Sequence, residues 1–368
     1  MMKILHVINS LQGGGAEKFI SQLLPLLNTD DFKCDLLVLQ SNNAVFQEEL
    51  EREGINVRFS KGSVNIYSPL YIFSLMKYLK GYDMIHVHLF PSQYWVSLAN
   101  LLSFNKAKIV TTEHSTSNKR INTSIYRPIE KFIYSRYSKI ISISQATQNT
   151  LLKWLGNKNN DKFQVIENGT NLQVLQGAMP HSIQDIHPEI LATDKLLIMV
   201  ARFDEAKDHE TVLKAIIQLP PNFKLLLVGI GPLLEKHQKY VLENQLQKQV
   251  IFLGYRKDVA NLLRSSYISI VSSRWEGFGL VAIEAMALGI PVIASNVPGL
   301  FDVVDGAGLI FETGNHKSLI EMIQIVDKDA DKRVKMIEEQ YKRASKYNIK
   351  TTADKHIKLY KSLMINNE

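Results

Sequence analysis

The segment that begins with Tyr267–Val271 constrains the fold most, because a strand, a glycine loop and a helix follow one another in it. The β-branched run Tyr267–Val271 is typical of a short buried strand. Gly277 and Gly279 come next, in a loop. A run of helix formers then ends at Gly289, which can cap a helix, and Pro291 prevents its continuation. This succession predicts an α/β unit in which the loop meets the N-terminus of the helix.

The same loop is a candidate anion site. The N–H groups of Phe278, Gly279 and Leu280 would be free at the start of the helix, where the helix dipole favours negative charge. Two carboxylates flank the loop, Glu276 before it and Glu284 in the helix. No histidine or aspartate joins them, so they indicate acceptors for hydroxyl groups rather than a metal pair. A structural alternative remains open, with Glu284 satisfied in the core and Glu276 in solvent.

Length and composition indicate an ordinary α/β protein of two domains. The chain has 368 residues, of which 45% are hydrophobic and 21% are charged, and this is enough for two cores. A single cysteine, Cys34, excludes an internal disulfide and is typical of a reducing, cytoplasmic compartment. We expect no signal peptide, because the apolar run after Lys3 is short. We expect no membrane span either, because the window Gly277–Ala294 contains Glu284 and Pro291.

The net charge of +7 indicates an anionic partner. No zinc finger or aromatic RNA-binding motif is present in the sequence, so nucleic acid is not an expected partner. Basic and aromatic residues concentrate in segment 119–139, namely Lys119, Arg120, Arg127, Lys131, Arg136 and Lys139 with Tyr126, Phe132, Tyr134 and Tyr137. Two interpretations remain open. The segment is either a solvated helix packed on a sheet, or a surface for the anionic membrane leaflet or a phosphate-bearing acceptor.

Strands alternate with helical segments along both halves of the chain. The strands predicted in the first half are Lys3–Asn9, Cys34–Gln40, Ile55–Phe59, Asp83–His88, Lys108–Thr112, Lys139–Ser144 and Phe163–Ile166. Those predicted in the second half are Lys195–Ala201, Phe223–Val228, Val250–Leu253, Tyr267–Val271 and Pro291–Ser295. Such alternation predicts two parallel sheets with helices on both faces, and ligands bind such sheets beyond the carboxyl ends of the strands.

Candidate residues in the first half fall at these strand ends. Gly14 and Gly15 turn the chain after the first strand, which is typical either of a generic strand–helix turn or of a close backbone approach to a ligand. His86 and His88 share one face of a strand. A third ligand is not evident in the sequence, so no metal is expected there. His114 directly follows another strand, where a side chain can reach a ligand.

Arg202 and Lys207 follow the first strand of the second half. Arginine can bind a diphosphate with two hydrogen bonds, whereas lysine acts as a point charge. Both precede a helix predicted to start near Asp208, whose N-terminus disfavours positive charge. An anionic ligand would compensate for that position, and the alternative is a pair of ordinary surface cations.

The motif E-G-F-G-L-V-A-I-E, which runs from Glu276 to Glu284, resembles the E-x7-E motif of retaining GT-B glycosyltransferases. These enzymes use nucleotide sugars and comprise the glycosyl transferases group 1 and glycosyltransferase family 4. The resemblance implies two doubly wound, Rossmann-like domains that face each other across a cleft. It implies that Glu276 contacts hydroxyls of the donor sugar and that Glu284 binds the ribose hydroxyls. The backbone of Phe278, Gly279 and Leu280 would then meet the diphosphate.

Shorter stretches extend the resemblance to the rest of the chain. Gly14 and Gly15 belong to a G-G-A-E segment, which makes them candidates for the donor phosphate or for the acceptor side. His114 resembles a histidine that touches the donor sugar. Arg202 and Lys207 resemble the cations that neutralise the leaving diphosphate.

The resemblance also covers the nucleobase. Gly254, Tyr255 and Arg256 resemble the stretch whose backbone reads the edge of the base, for which uracil is expected. Ile230 stands where the glycine turn of the family often carries an acidic residue. This departure leaves the turn intact but removes a possible hydroxyl contact.

These matches imply four parts of the chain: an acceptor-side domain (1–170), a linker (171–194), a nucleotide-sugar domain (195–345), and a last helix (346–368) that returns to the first domain. The expected reaction is transfer of a sugar, with retention, from a UDP-sugar to a hydroxyl of a glycan or lipid-linked glycan acceptor. Surface polysaccharide or lipopolysaccharide assembly is the expected setting, in the cytoplasm or on the inner face of the membrane. No cofactor or metal is expected.

There are two alternatives, the first another enzyme on the same scaffold and the second a protein of a different class. An epimerase or phosphorylase on the same scaffold would act on the donor without this transfer. An inactive scaffold for glycan assembly would have no activity at all, although Arg202, Lys207, Glu276 and Glu284 argue against that loss. The sequence leaves the sugar, the linkage and the route of retention open, whether front-side attack or a covalent intermediate.

Overall fold

A computed structural model of the chain describes residues 1–41, 44–60, 65–117, 120, 123–156 and 160–365. The chain divides into two compact units. Unit 1 contains Met1–Gly169 together with the C-terminal segment from Ile349, and unit 2 contains Thr170–Asn348. Unit 2 is therefore inserted in the sequence of unit 1.

Unit 1 is built on a parallel sheet whose described strands follow the order β3-β2-β1-β4-β5-β6-β7. The strands are β1 (Met2–Ile8), β2 (Phe32–Val38), β3 (Asn56–Phe59), β4 (Met84–His88), β5 (Lys108–Glu113), β6 (Lys139–Ser142) and β7 (Phe163–Val165). The central strands are almost continuously buried, because helices cover both faces of a parallel sheet. The order reverses between β1 and β4, and such reversals are where doubly wound sheets bind ligands.

Helices connect these strands. They are α1 (Gly15–Leu27), α2 (Gln47–Arg52), α3 (Tyr71–Tyr78), α4 (Ser92–Leu102), a 3₁₀ helix (Ser124–Tyr126), α5 (Arg127–Arg136) and α6 (Gln145–Leu155). The residues that begin and end α6 follow the expected rules. Ser144 accepts a hydrogen bond from the N–H of Thr147, and Gly156 ends the helix in the left-handed conformation.

Unit 2 repeats the arrangement in the order β10-β9-β8-β11-β12-β13. Its strands are β8 (Lys195–Val200), β9 (Phe223–Val228), β10 (Val250–Gly254), β11 (Ile268–Val271), β12 (Val292–Ser295) and β13 (Leu309–Phe311). Its helices are α7 (Leu172–Gln176), α8 (Ile183–Ile186), α9 (His209–Ile216), α10 (Leu234–Glu243), α11 (Val259–Arg264), α12 (Leu280–Ala287), α13 (Leu300–Val304), α14 (His316–Lys328) and α15 (Ala330–Ser345). The predicted fold class, α/β with two doubly wound sheets, is confirmed.

The last helix, α16 (Ile349–Ile365), completes unit 1. Its Tyr360 is fully buried, packs edge-on against Phe32, and forms a hydrogen bond with His86 Nδ1 at 2.6 Å. Thr352 Oγ1 donates to the carbonyl of Glu167 at 3.0 Å. The helix therefore contributes both apolar contacts and hydrogen bonds to the unit.

Two features differ from the sequence-based expectation. Residues 171–194, predicted as a linker, form α7 and α8 and belong to unit 2. The imidazole of His181 lies in this segment and is 2.7 Å from Asp258 of the same unit. Strand β13 was not predicted, because a strand of three residues after Gly308 gives little periodic signal.

Candidate functional site

The loop between β11 and α12 carries the glycine motif. Gly279 precedes the helix with φ 93° and ψ 53°, a left-handed conformation that L side chains adopt at a cost. A Cβ atom at this position would also lie 2.6 Å from Leu300 Cδ1. Among the described residues, the N–H groups of Phe278, Gly279 and Leu280 donate to no protein acceptor. The loop thus presents three N–H groups at the positive end of a helix.

Lys207 and Glu276 form an ion pair beside this loop. Lys207 Nζ donates to Glu276 Oε2 and, at 3.3 Å, to Ser273 Oγ. The side chains of Lys207 and Glu276 are 23% and 18% exposed, so the pair is partly shielded from water. The Glu276 carboxylate therefore balances the positive charge of Lys207, the residue that the resemblance assigns to a diphosphate.

Backbone hydrogen bonds fasten the loop of Lys207 to the loop of Glu276. The N–H of Asp208 donates to Ser272 O at 3.1 Å, and the N–H of Arg274 donates to Ala206 O at 2.8 Å. Lys207 and Ser273 also form an isolated antiparallel bridge. The cation and the carboxylate are consequently held together by the main chain as well as by their charges.

Two arginines lie on these loops. Arg202 has a side chain that is 64% exposed, and its Nε is 3.9 Å from Asp204 Oδ2. Arg274, which the sequence analysis missed, donates to the buried Asp208 at 3.3 Å and is 54% exposed. Arg274 could have been noticed in the sequence, because it directly precedes the glycine loop. The loops therefore combine cations with carboxylates that neutralise them.

A close approach of two backbones positions Arg202. A Cβ atom at Gly231 would lie 2.4 Å from Phe203 O, so only glycine allows this contact. Phe203 donates its N–H to Ile230 O at 3.1 Å and stacks on the ring of His209, with ring centres 4.1 Å apart. Burial, with His237 nearby, lowers the pKa of His209 to about 4, so this ring is neutral in the core.

Glu284 lies in α12 and is 1% exposed. Thr170 Oγ1 is 3.5 Å from its Oε1, which is the outer limit of a hydrogen bond. A carboxylate in this position is stable only with hydrogen-bond donors around it. Its burial is compatible both with a core role and with binding of hydroxyl groups.

The Gly254–Arg256 stretch follows the edge of the sheet. Gly254 accepts a hydrogen bond from the N–H of Gly229 at 2.8 Å, and the side chain of Tyr255 remains partly exposed. The guanidinium of Arg256 forms two hydrogen bonds with Asp258, at 2.7 and 2.5 Å. The Arg256 pair holds the pKa of Asp258 well below its usual range. The Arg256 side chain is therefore engaged by Asp258. The backbone of the stretch is then the candidate contact for a nucleobase.

In unit 1, Gly14 and Gly15 begin α1. Gly14 has an ordinary extended backbone, and a Cβ atom there would lie 2.4 Å from the carboxylate of Glu17. Ser10 Oγ donates to Glu17 Oε1 at 3.1 Å. A carboxylate already occupies the positive end of this helix, so a hydroxyl group suits the turn better than a phosphate does.

The histidines of unit 1 form a buried cluster. Nitrogen atoms of His6, His86 and His88 all lie within 4.8 Å of one another. His6 is the third member that the sequence analysis did not find, and it pairs in register with His86 across β1 and β4. Burial lowers the pKa of His86 and of His88 well below the usual value, so the rings are neutral. His114, at the end of β5, contacts the cluster through His88.

The basic segment after His114 has two kinds of surface. Arg120 is buried: it donates to Glu130 at 2.5 Å, and its guanidinium lies 4.0 Å from the centre of the Phe90 ring. Outside this pair, the apolar side chains of Ile125, Tyr126, Ile129 and Phe132 are exposed, and so are the charged side chains of Arg127, Lys131 and Arg136. Lys119 lies outside the described residues. The segment thus packs on the sheet and also presents a second apolar face.

The predicted site residues are divided between the two units. Arg202, Lys207, Glu276, the Phe278–Leu280 amides and Glu284 lie on neighbouring loops and the helix of unit 2. Gly14, Gly15 and His114 belong to unit 1. Ser273 was missed as a partner of Lys207, because a serine in such a loop carries no distinct signal.

Comparison with known proteins agrees with this arrangement. The family described as "Glycosyl transferases group 1" matches residues 183–343, and "Glycosyltransferase Family 4" matches residues 13–174. The solved structure of Anabaena Alr3699/HepE in complex with UDP-glucose aligns with a TM-score of 0.86 at 21% identity. The alignment covers 98% of this chain and 100% of that chain. It establishes similarity of fold.

Two curated relatives cover most of the chain. An Escherichia coli protein named UDP-Gal:alpha-D-GlcNAc-diphosphoundecaprenol alpha-1,3-galactosyltransferase is 25% identical over 391 residues, with 99% of this chain and 98% of that protein covered. A Campylobacter jejuni protein named N-acetylgalactosamine-N,N'-diacetylbacillosaminyl-diphospho-undecaprenol 4-alpha-N-acetylgalactosaminyltransferase is 25% identical over 345 residues, with 89% and 91% covered. In the described part of this chain, no helix has both the length and the apolar character needed to cross a bilayer.

Proposed function

We propose a reaction for this chain, which belongs to the glycosyl transferases group 1 family. It is a GT-B glycosyltransferase of polysaccharide, lipopolysaccharide or lipid-linked glycan biosynthesis. It transfers a sugar, with retention, from a UDP-sugar to a hydroxyl of a lipid-linked glycan. The donor binds unit 2 and the acceptor binds unit 1. One observation carries the proposal: Lys207 and Glu276 are paired beside three N–H groups at the start of α12.

The pairing supports a diphosphate as the leaving group. Charge develops on the diphosphate as the bond to the sugar breaks, and groups already aimed at that charge lower the barrier. Lys207, Arg202 and the N–H groups of the glycine loop supply such groups. When the diphosphate binds Lys207, Glu276 is released to accept hydrogen bonds from the sugar hydroxyls. On donor binding, Lys207 and Glu276 thus separate from each other, and Lys207 binds the diphosphate while Glu276 binds the sugar.

The proposed reaction needs no cofactor, because the nucleotide sugar is itself the substrate. Lys207 and Arg202 supply the positive charge that a divalent ion could otherwise provide. Glu284 takes the ribose hydroxyls, and the backbone at Gly254 and Tyr255 reads the base. Uracil is supported by the UDP-glucose complex of the Anabaena protein and by the UDP-Gal donor in the name of the Escherichia coli relative.

The acceptor is proposed to be a saccharide on a polyprenyl diphosphate. Both curated relatives carry diphospho-undecaprenol acceptors in their names. His114 would touch the donor sugar from unit 1, and Gly14 and Gly15 would lie on the acceptor side. The carboxylate of Glu17 near these glycines favours a hydroxyl group there.

The exposed face of α5 and the 3₁₀ helix before it is proposed to bind an anionic membrane. Ile125, Ile129 and Phe132 are 74%, 49% and 49% exposed, which is unusual for neighbouring apolar side chains. Arg127 and Lys131 are exposed among them and complement the charge of anionic lipids. The proposed location of the protein is therefore the cytoplasm, peripherally on the inner face of the membrane.

A two-step experiment tests the proposed reaction. Thermal-shift measurements against UDP, GDP, ADP and their sugars identify the donor, because a ligand of the native state raises the melting temperature. The donor is then incubated with a diphosphoundecaprenyl saccharide, and NMR of the product gives the anomeric configuration. Stabilisation by UDP-sugars and an anomer that matches the donor are expected.

Other outcomes would replace the proposal by one of its alternatives. Conversion of the donor to its epimer without an acceptor would indicate an epimerase. Donor binding without transfer or hydrolysis would indicate an inactive scaffold. Stabilisation by GDP or ADP compounds alone would contradict the assignment of uracil.

A further inference from the structure

A buried histidine lies two residues after Lys207. His209 begins α9, is 1% exposed, and stacks on the ring of Phe203, with ring centres 4.1 Å apart and planes 15° from parallel. Phe203 directly follows Arg202 in the sequence. The stacked rings therefore join, in the core of unit 2, the two ends of the loop that carries Arg202 and Lys207.

The carbonyl of Lys207 fixes the tautomer of this ring. His209 Nδ1 is 3.2 Å from Lys207 O. A carbonyl oxygen only accepts hydrogen bonds, so Nδ1 carries the proton and donates. Burial, with His237 nearby, lowers the pKa of His209 to about 4, so the ring is neutral near pH 7. A neutral imidazole has one N–H group, and Nε2 is consequently a bare acceptor.

The Nε2 atom of His209 indicates that the imidazole has a purpose beyond packing. Among the residues that the structure describes, this buried atom has no hydrogen-bond partner. A buried acceptor without a donor costs stability, and a phenylalanine ring could stack on Phe203 without that cost. What the imidazole adds over phenylalanine is the hydrogen bond to Lys207 O.

This hydrogen bond helps to hold the main chain of Lys207. Lys207 O also accepts the backbone N–H of His209 at 3.0 Å, and the N–H of Lys207 donates to Asp204 O at 3.2 Å. Both main-chain groups of Lys207 are thus bonded within the protein. A main chain fixed in this way directs Lys207 Nζ to Ser273 and Glu276 on the neighbouring loop.

We propose that His209 is a positioning residue that holds Lys207 where it meets the diphosphate of the donor. His209 acts through the main chain of Lys207 and is itself enclosed in the core. The proposal rests on the proposed function, because that function supplies the contact between Lys207 and the diphosphate. Both residues belong to unit 2.

Three variants separate the hydrogen bond from the ring. His209→Phe keeps a stacked ring and removes the donor. His209→Asn loses the ring but places an amide N–H close to the position of Nδ1, whereas His209→Gln places it near the position of Nε2. His237→Phe is the matched control, because it makes the same change at a buried ring whose centre is 5.3 Å from that of His209.

Calorimetry with UDP measures the effect, with each variant made in the wild-type and in the Lys207→Ala protein. His209→Phe should weaken UDP binding about two- to tenfold, the range for one hydrogen bond. His209→Asn should retain more of the affinity than His209→Gln, and His237→Phe should retain all of it. In the Lys207→Ala protein, His209→Phe should have no further effect, because a residue that acts through Lys207 then has nothing to position.

Three results would overturn the proposal. The first is a loss of UDP affinity in His209→Phe that persists in the Lys207→Ala protein, since it would indicate a general effect on the fold. The second is an equal loss in His237→Phe, and the third is wild-type affinity of a folded His209→Phe protein. If melting temperatures show that His209→Phe does not fold, His209→Asn and His209→Gln decide, and equal affinities of these two would overturn the proposal.

Failure of the proposed function would look different. A wild-type protein that no nucleotide or nucleotide sugar stabilises would contradict the donor. Two-bond ¹⁵N–¹H correlations of the histidine rings, assigned with His209→Gln, still test the hydrogen bond in that case, and the Nδ1–H form of His209 is expected. The Nε2–H form would overturn the role of His209 and leave the donor assignment standing.

Discussion

Lys207 and Glu276 form an ion pair although 68 residues separate them in the sequence. In the proposed reaction, a diphosphate displaces the Glu276 carboxylate from Lys207. The exchange keeps an unpaired cation out of a partly shielded site, where an isolated charge is unfavourable. Under this proposal, donor binding and departure of the diphosphate both depend on this one ion pair.

Lys207→Ala is expected to lower kcat by about a hundredfold or more, since one group that stabilises the leaving charge is lost. Single-turnover transfer with saturating donor is the measurement. Lys214→Ala is the matched control, because Lys214 pairs with Glu210 on the exposed side of α9. Near-normal turnover of a folded Lys207→Ala protein would remove this residue from the mechanism.

Glu276→Gln is expected to impair transfer while UDP affinity stays similar or rises. The amide keeps the shape of the side chain, accepts hydroxyl groups less strongly, and no longer competes with the diphosphate for Lys207. Calorimetry with UDP and a transfer assay separate the two effects. Glu205→Gln serves as a control, because Glu205 is an exposed glutamate on the loop that carries Lys207. An equal loss of UDP binding would show that Glu276 has been given the wrong contact.

For single residues, the sequence predicts which chemical groups lie at the site better than it predicts which side chains contact each other. Arg202, Lys207 and the two glutamates were identified as candidates from their positions beside strand ends and the glycine motif. The pairing of Lys207 with Glu276 could not be read, because it depends on how two distant loops fold together. The bidentate pair of Arg256 with Asp258 was accessible in principle, since only one residue separates them.

The conformation of the loop before α12 depends on one glycine, Gly279. Gly279→Ala must hold an L residue at φ 93° and place a methyl group against Leu300. The expected loss is about 1–3 kcal/mol in the free energy of unfolding, together with weaker UDP binding as the N–H groups move. Urea unfolding and calorimetry are the measurements.

A second glycine provides the control for this substitution. Gly177 has φ −77°, and an added Cβ atom there would only touch Val174 O at 3.6 Å. Gly177→Ala should therefore leave stability nearly unchanged. Equal stability of both variants would contradict the structural role given to Gly279.

The exposed face of α5 predicts binding to anionic vesicles. The double variant Ile129→Ser, Phe132→Ser should reduce cosedimentation with phosphatidylglycerol vesicles tenfold or more, because each buried apolar side chain contributes roughly 1.5–3 kcal/mol. Leu242→Ser is the control, since Leu242 is 63% exposed on α10 in unit 2. Binding to neutral vesicles as strong as to anionic ones would contradict the role of the basic residues.

The elements themselves were largely predictable. Alternating β-branched runs gave the strands, and Gly289 gave the end of α12, because these signals are local. Two short helices in 171–194 and strand β13 were missed, since their periodic signal is brief and tertiary contacts stabilise them. The second apolar face of α5 was not separated from the buried one, because both faces carry aromatic residues.

For the whole molecule, buried neutral histidines predict a stability that falls on acidification. The pKa of His6 and of His114 is lowered to about 3, and that of His356 to about 4, against about 6.5 when unfolded. The unfolded chain therefore binds more protons below pH 6.5. The contribution of these histidines to the free energy of unfolding is complete above pH 6.5 and is lost as the pH falls towards 4.

Urea unfolding between pH 7.5 and 5 measures this loss. Each such histidine contributes about 1 kcal/mol per pH unit in the lower half of that range. His356→Asn, which removes one titrating group, should give a correspondingly shallower slope. An identical slope for the variant and the wild type would mean that His356 has the same pKa in the folded and the unfolded state.

The insertion of unit 2 into unit 1 also sets an order of events during synthesis. The strands of the first sheet leave the ribosome before α16, whose Tyr360 covers Phe32 and His86. At about 5–20 residues per second, the delay is on the order of 10 seconds. Until α16 is synthesised, Phe32 and His86 of the first sheet lack their contacts with Tyr360. The second sheet is one uninterrupted stretch of chain and can be completed first, although it is translated later.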